Sequence, residues 1–385
     1  MQWITSYLQN RMQFVSIDGT DSKTRHMQYG VPQGSILGPL LFIIYINDIP
    51  NVSQIAKFIL YADDANIIIS GNSITEVDVQ VHDLCKILLN WVDSNGLCLN
   101  LKKTKYMIFS RARKAELPST LKIANLPIER VTEGRFLGVI VDENLTWSRH
   151  IKTIQTKMAR YIGLMYKLKS QLPLQVRIQI YQSFVQSHIN YCSLVWGFSA
   201  KSNIESLFRA QKKAMRAVIP GFINYRYRSD GTLPGHTKSY FAKYDILTIQ
   251  NVIVLNALVF MHKVRHFPLD LPRSVRKTVA GNSPLPGATQ ESSNDWLQNY
   301  SYHLYTRSVF YKGPLLSIIP EISELVTPST LFNAKIYKKD VKNALIKYQS
   351  SGNAEEWQSN NFLLFNIPGL RKSPRNLTPE NYQLV

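Results

Sequence analysis

Apolar and polar positions alternate along this chain with two different periods. Two short runs rich in β-branched residues, Phe58–Tyr61 and Ala65–Ile69, flank the polar pair Asp63-Asp64. Such runs read as strands, and the polar break between them as a hairpin turn. Met1–Arg11 has Trp3, Ile4, Tyr7 and Leu8 at helical spacing. Gln13–Asp18 alternates weakly, and Asp18-Gly19 supplies a turn. Gly30–Gly38 reads as a loop entering a helix from near Pro39 to about Tyr45, which Asn47–Pro50 ends because Pro50 disfavours helix at Ile49. Asp48 then reads as a cap or turn residue. Ile74–Asn95 keeps helical spacing through Val77, Val81, Leu84, Cys85, Leu88, Leu89 and Trp91/Val92, and Gly96 suits a left-handed stop. Tyr106–Phe109 and Phe136–Asp142 read as further strands, the second with a turn.

Beyond Ile151 the pattern changes to long helices. Ile151, Ile154, Met158, Ile162, Met165 and Leu168 make one apolar face, with Lys152, Lys157, Arg160 and Lys167 elsewhere around the wheel. Leu174–Ile189 continues the helical character. In Leu207–Ile219, Arg209, Lys212, Lys213 and Arg216 form a basic stripe at i, i+3, i+4 and i+7. Taken alone, such a stripe is an ordinary solvated helix face. Gly221–Tyr240 is rich in Gly, Pro and Tyr and reads as a linker, Tyr244–Val264 as a helix, Leu269–Asn294 as a mobile connection, and Asn333–Tyr348 as a last helix. Tyr302, Tyr305 and Tyr311 suit packing better than chemistry.

Composition narrows the partners. The chain has 385 residues, with 45 Lys and Arg against 26 Asp and Glu, for a formal charge of +19. That balance favours a polyanion, most simply nucleic acid, because phosphate neutralisation drives sequence-independent affinity. The longest apolar run, Leu40–Ile46, is too short to span a bilayer, and no charged segment followed by an apolar one opens the chain. No membrane role is expected, and an intracellular location, nuclear or cytoplasmic, is. Cys85, Cys98 and Cys192 are scattered without zinc spacing and read as buried reduced thiols.

Candidate chemistry centres on Asp63 and Asp64. Two carboxylates this close repel one another and resist desolvation. A divalent cation relieves the conflict, since hard carboxylate oxygens suit Mg²⁺, and paired ions can clamp the attacking and leaving oxygens of a phosphoryl transfer. An isolated Tyr-Ala-Asp-Asp is better explained as a polar turn than as a catalytic pair, because Asp is a favoured turn residue.

The context separates these readings. Upstream stands Gly30-Val31-Pro32-Gln33-Gly34-Ser35-Ile36-Leu37-Gly38-Pro39-Leu40-Leu41-Phe42. With the following Tyr61-Ala62-Asp63-Asp64, this ordered pair of motifs resembles the reverse transcriptases of non-LTR (LINE-like) retrotransposons, particularly the jockey-like group. Matches also fall at Trp3, Ser6, Tyr7, Leu8, Arg11, Gln13 and Val15; at Leu97, Leu99, Asn100, Lys103 and Thr104; at Phe136-Leu137-Gly138-Val139; and at Leu145, Trp147, His150, Tyr191 and Trp196. The resemblance is strongest from Trp3 to about Trp196.

The resemblance implies an α+β right-hand polymerase fold. Residues 1–145 would form a palm of antiparallel strands backed by helices, truncated at its N-terminus. Residues 146–220 would form a helical thumb, and residues 221–385 a C-terminal helical region with flexible linkers. The implied activity is RNA-directed DNA synthesis by two-metal nucleotidyl transfer onto a primer 3′-hydroxyl, with an RNA template, a DNA primer and deoxynucleotides as partners. Asp63 and Asp64 would hold two Mg²⁺ ions, Mn²⁺ being an alternative. Pro32, Gln33, Gly34, Tyr61 and Ala62 would line the nucleotide and template pocket. Phe136, Leu137 and Gly138 would grip the primer end. Arg209, Lys212, Lys213 and Arg216 would meet the nucleic-acid backbone. Lys103 would place positive charge, or a proton, beside departing pyrophosphate, whereas among Lys102, Lys103 and Lys105 it also reads as part of a solvated basic turn. The family carries a further catalytic Asp on a strand preceding the segment that begins near Trp3. Its absence here raises the alternative of an inactive element-derived fragment that only binds nucleic acid. A polymerase copying RNA into RNA fits the Gln-Gly-Ser and Phe-Leu-Gly-Val contexts less well.

Overall fold

A computed structural model describes residues 2–27, 30–110, 115–221, 237–266 and 334–350. The expected mobile connection at Leu269–Asn294, the tyrosines 302, 305 and 311, and most of the linker 221–240 lie outside these residues. The described chain is mixed helix and strand with small two-stranded sheets, and it divides into two compact units, Met1–Thr132 and Glu133–Val385.

The first unit opens with helix α1 (Gln2–Leu8). Strand β1 (Met12–Gln13) pairs antiparallel with β4 (Arg25–His26), and β2 (Ser16–Ile17) with β3 (Thr20–Asp21). Between β2 and β3, Asp18 and Gly19 both take positive φ, 48° and 80°, as a tight two-residue hairpin turn requires. Helix α2 (Leu37–Ile46) follows, then a 3₁₀ turn, Ile49–Val52, opened by Asp48 and Pro50 as expected. Strands β5 (Lys57–Tyr61) and β6 (Asp64–Ile68) form the anticipated hairpin, in register from Lys57↔Ile68 to Tyr61↔Asp64.

Helix α3 (Ile74–Ser94) is the spine of this unit. Ser73 caps it by accepting from Glu76 N–H at 3.1 Å, while the Glu76 carboxylate reaches back to Asn72 N–H at 2.8 Å. It ends in a Schellman motif. Gly96 sits at φ 60°, its N–H reaches Asp93 O at 3.0 Å, and Leu97 N–H reaches Val92 O at 3.0 Å. One side of α3 buries Leu88 and Val92 with Ile49, against Phe58, Leu60 and Ile67 of the hairpin and Leu97 and Leu99 beyond its own end. Another side buries Cys85 against Leu121, Ile123 and Ile128. Ile123 lies in, and Leu121 and Ile128 beside, short strands the periodicity did not announce: β8 (Lys122–Ile123) paired with β9 (Leu126–Pro127), and β10 (Glu129–Arg130) running parallel to β7 (Lys105–Tyr106). The expected strand 106–109 is thus a two-residue piece. The thiols also correct the expectation: all three cysteines are free, but only Cys85 is buried, with Cys192 half-buried and Cys98 exposed.

The second unit begins with hairpin β11 (Glu133–Phe136) and β12 (Val139–Asp142) and continues into α4 (Ser148–Leu168). The Asp142 carboxylate organises the junction. It accepts from the N–H groups of Asn144 (3.2 Å), Thr146 (3.0 Å) and Trp147 (2.9 Å), and from the Thr146 hydroxyl at 3.1 Å. The expected apolar face of α4 is buried at Ile151, Ile154, Met158 and Met165 and packs on α8 (Lys201–Val218). Between them run α5 (Leu174–Tyr181), a π-helical turn (Gln182–Gln186), α6 (Ser187–Asn190) and α7 (Ser193–Trp196).

Among the described residues this unit has three further helices: α9 (Lys238–Lys243), which replaces the end of the expected linker, α10 (Ile249–His266) and α11 (Ala334–Ser350). Ile249, Ile253, Ala257 and Leu258 of α10 are fully buried, and Tyr337, Val341 and Leu345 of α11 pack into the same core. One buried polar group crosses that core. Gln211 donates to Tyr181 Oη (3.0 Å) and Leu247 O (2.9 Å) and accepts from Ile249 N–H (2.9 Å), so its amide is satisfied.

Candidate active site

The hairpin β5–β6 explains why the two carboxylates stand where they do. Cross-strand partners share a face. Phe58, Leu60, Ala65 and Ile67 therefore form one side, with Phe58, Leu60 and Ile67 packed toward α3, and Lys57, Ile59, Tyr61, Asp64, Asn66 and Ile68 form the other. Asp64 thus starts β6 on the outer face directly opposite Tyr61, which is 63 % exposed. Asp63 occupies the second position of the two-residue turn. Ala62, at the first, has φ 50°, a left-handed conformation that strains any residue with a Cβ. Both carboxylates are exposed, and neither has a hydrogen-bond or ion-pair partner among the described residues.

That donor set fits a hard divalent cation: two carboxylates at adjacent positions, uncommitted to any Lys or Arg. Among the described residues no group of three or more Asp, Glu, His or Cys side chains gathers to hold a metal. Asp63 and Asp64 could therefore supply only part of an ion's coordination, the remainder falling to water, phosphate oxygens or groups beyond the described residues.

Two other motifs are tied to the same framework. The loop Gly30–Gly38 is held at both ends by the N-terminal segment. Arg11 donates to Gly30 O, and the Tyr7 hydroxyl donates to Ser35 Oγ at 2.5 Å, while that oxygen also accepts from Gly38 N–H at 3.0 Å. Pro32 is half-buried, and Gln33 and Gly34 are exposed, with the Gln33 amide free of hydrogen bonds among the described residues. At the other end of α2, the Tyr45 hydroxyl donates to Asn95 O, and Trp91 Nε1 donates to Asp48 Oδ2 at 3.4 Å. Helix α2 and the hairpin thus rest on the last turns of α3.

Lys103 follows the Leu97–Leu99 segment that packs on the same cluster as the hairpin's inner face. Asn100 shapes its turn: Lys103 N–H and Thr104 N–H both reach Asn100 O at 3.0 Å. The Lys103 side chain is exposed and makes no ion pair with Asp63 or Asp64. The structure therefore gathers the hairpin, the segment leading to Lys103 and the helix α2 around one end of α3.

The remaining candidates lie in the second unit. Leu137 and Gly138, at φ 45° and 82°, are the turn of hairpin β11–β12. Two residues brace it whose role the sequence pattern did not announce. The Tyr191 hydroxyl donates to Leu137 O at 2.5 Å, its ring lying where a Gly138 Cβ would come within 3.4 Å, and Ile140 N–H donates to His150 Nδ1 at 3.2 Å. Burial, with the Lys157 ammonium, pushes His150 down to about 4, so the ring is a neutral acceptor. The signal for both was present as motif members at Tyr191 and His150, but periodicity carries no information about pairings 54 residues apart. On α8, Arg209 and Lys213 are exposed and Lys212 and Arg216 half-buried, with Lys212 Nζ 4.8 Å from the Phe208 ring centre.

Residues 1–141 match the family described as reverse transcriptase (RNA-dependent DNA polymerase). The chain is similar to the "Probable RNA-directed DNA polymerase from transposon X-element" of Drosophila melanogaster, 28 % identical over 222 residues, covering 56 % of this chain and 24 % of the relative. It is similar, at 28 % over 226 residues and with the same shares, to the "RNA-directed DNA polymerase from mobile element jockey" of that species. A Pol polyprotein from the type-1 element R1 of Nasonia vitripennis is 25 % identical over 205 residues, covering 49 % of this chain and 60 % of the relative. The chain thus spans about a quarter of the length of the first two relatives. No solved structure matches it. The paired carboxylates on their hairpin and the Gln-Gly loop thus lie within the residues, 1–141, that match the reverse transcriptase family, and over about half its length the chain is similar to RNA-directed DNA polymerases of mobile elements.

Proposed function

We propose that this chain carries the palm carboxylates, primer grip and thumb of an RNA-directed DNA polymerase. The observation that carries the reading is the hairpin turn, where Asp63 and Asp64 are exposed and unpartnered on strands whose opposite face is packed. In this reading the primer 3′-hydroxyl attacks the α-phosphorus of a deoxynucleotide and pyrophosphate leaves. Divalent ions, Mg²⁺ or alternatively Mn²⁺, held by Asp63 and Asp64 would neutralise charge developing on the phosphoryl oxygens. Pro32, Gln33 and Gly34 present backbone and an uncommitted amide to the template base and nucleotide. Tyr61 and Ala62 bound the pocket beside the carboxylates. Lys103 adds positive charge for the leaving pyrophosphate. Phe136, Leu137 and Gly138 hold the primer end, and Arg209, Lys212, Lys213 and Arg216 contact phosphates.

A second reading, a nucleic-acid-binding module without turnover, draws on the gathering of two rather than three carboxylates among the described residues. Extension of a DNA primer on an RNA template in Mg²⁺, with Asp63→Asn beside the parent chain, separates the two. Template-directed incorporation that vanishes in the variant is the outcome expected of the polymerase. Salt-sensitive binding without incorporation supports the binding module, and equal incorporation by both proteins rejects the role of Asp63.

A further inference from the structure

At the edge of the second unit's core three aromatic rings gather. Tyr161 of α4 lies 4.8 Å from Phe184 between ring centres, at an interplanar angle of 30°, and 6.1 Å from His188, at 28°. The Tyr161 side is packed against the core, but Phe184 is 45 % exposed. Phe184 stands in the π-helical turn Gln182–Gln186, a conformation that is rare in helices and frequent at functional sites. The neighbours along its turn, Gln182, Ser183 and Ser187, are polar and exposed. Lys157 stands one turn before Tyr161 on the same face of α4, and Arg160 stands one turn after Lys157; both are exposed. Desolvation, with the Lys157 charge, moves His188 below the ordinary imidazole value, which favours its uncharged ring.

We propose that Tyr161, Phe184 and His188 form a stacking site for an unpaired nucleobase, with Lys157 and Arg160 placed for the phosphates of the same strand. A base covers an exposed aromatic face at little conformational cost, and every base offers a π face, so such a site is tolerant of sequence. The cations and the formal charge of +19 favour a polyanionic strand over a protein. The proposal shares with the polymerase reading only its nucleic-acid ligand and makes no use of Asp63 or Asp64.

The test compares binding of a fluorescein-labelled single-stranded RNA of ~12 nucleotides with a blunt duplex of equal length, using the full chain without divalent ions. Phe184→Ala should weaken single-strand binding about tenfold, leave the duplex within about twofold, and keep the salt slope of the parent; Phe184→Trp should restore affinity. A 2-aminopurine placed in the strand should be quenched by the parent chain and not by Phe184→Ala. If Phe184→Ala unfolds more easily, Phe184→Leu removes the π face while retaining bulk. Unchanged single-strand affinity, or equal losses on strand and duplex, overturns the site, as would affinity carried by a protein partner alone. Because no turnover is read, failure of primer extension leaves this comparison intact. Conversely, extension that survives with single-strand affinity unchanged removes the stacking site alone.

Discussion

Asp63 is exposed and has no hydrogen-bond or ion-pair partner among the described residues, so its loss separates chemistry from stability. Asp63→Asn should abolish extension while leaving the unfolding free energy from urea titration within about 0.5 kcal/mol of the parent, because surface changes away from special interactions are small. Ala62 makes the opposite experiment. Its φ of 50° is tolerated best by glycine, and Ala62→Gly should stabilise the chain by up to ~1 kcal/mol, read from the same unfolding curve. That the carboxylates would share a hairpin tip was legible from two β-branched runs around a polar pair. The left-handed alanine was not, because Ala carries no preference for positive φ and only the two-residue spacing of the turn demands it.

His150 gives a pH signature at the same scale. Its folded value, about 4, lies below the ordinary 6.5. The unfolded chain therefore binds the proton first, and folding stability is complete above pH 6.5 and falls as pH drops toward about 4. His150→Asn, whose amide oxygen can still accept from Ile140 N–H, should flatten this part of the stability–pH curve. A curve with an unchanged slope would place the lost stability in other groups. His188, also lowered, contributes in the same direction.

Among elements, the hairpin β11–β12 is defined as much by what braces it as by its own sequence. Phe136–Val139 was readable as a strand-and-turn motif, whereas the clamp from Tyr191 crosses 54 residues and follows only from how α6 docks. Tyr191→Phe should cost ~1 kcal/mol of stability by removing this hydrogen bond. If the turn grips a primer, the same variant should raise the KM for primer–template more than it lowers kcat. Helix α3 was the most legible element: spacing, the Ser73 cap and the Gly96 stop all lie within local sequence. Strands β8, β9 and β10 were not, since two-residue pairings have no period to detect and arise from packing on Cys85 of α3. Helix α2 departs from simple pattern reading in another way. It is apolar on nearly all sides, yet Leu40, Ile43 and Ile44 remain exposed.

For the whole molecule, charge is the property most directly tied to function. With +19 overall and the stripe on α8 facing outward at Arg209 and Lys213, duplex binding should weaken steeply with salt. Replacing Lys212 and Arg216 by Gln should lower the slope of log affinity against log salt by roughly one for each phosphate no longer neutralised; an unchanged slope would mark a solvated face. The second unit's integrity depends instead on buried groups such as Gln211. Gln211→Leu leaves the Ile249 N–H and the Leu247 carbonyl without partners and should cost more than ~2 kcal/mol. Its role could not be read from an isolated Gln in a basic helix, because its partners come from α5, the turn before α10 and the first residue of α10.

Above all, Asp63 and Asp64 should hold divalent ions when nucleic acid and nucleotide are bound. Iron(II) substituted for Mg²⁺ and given hydrogen peroxide, with ascorbate to re-reduce the Fe(III) formed, generates hydroxyl radicals that cut the chain beside its binding site. With primer–template and nucleotide present, cuts should cluster around Tyr61–Asp64, disappear with excess Mg²⁺, and be lost in Asp63→Asn. Cuts located elsewhere, or unchanged in Asp63→Asn, would contradict the assignment.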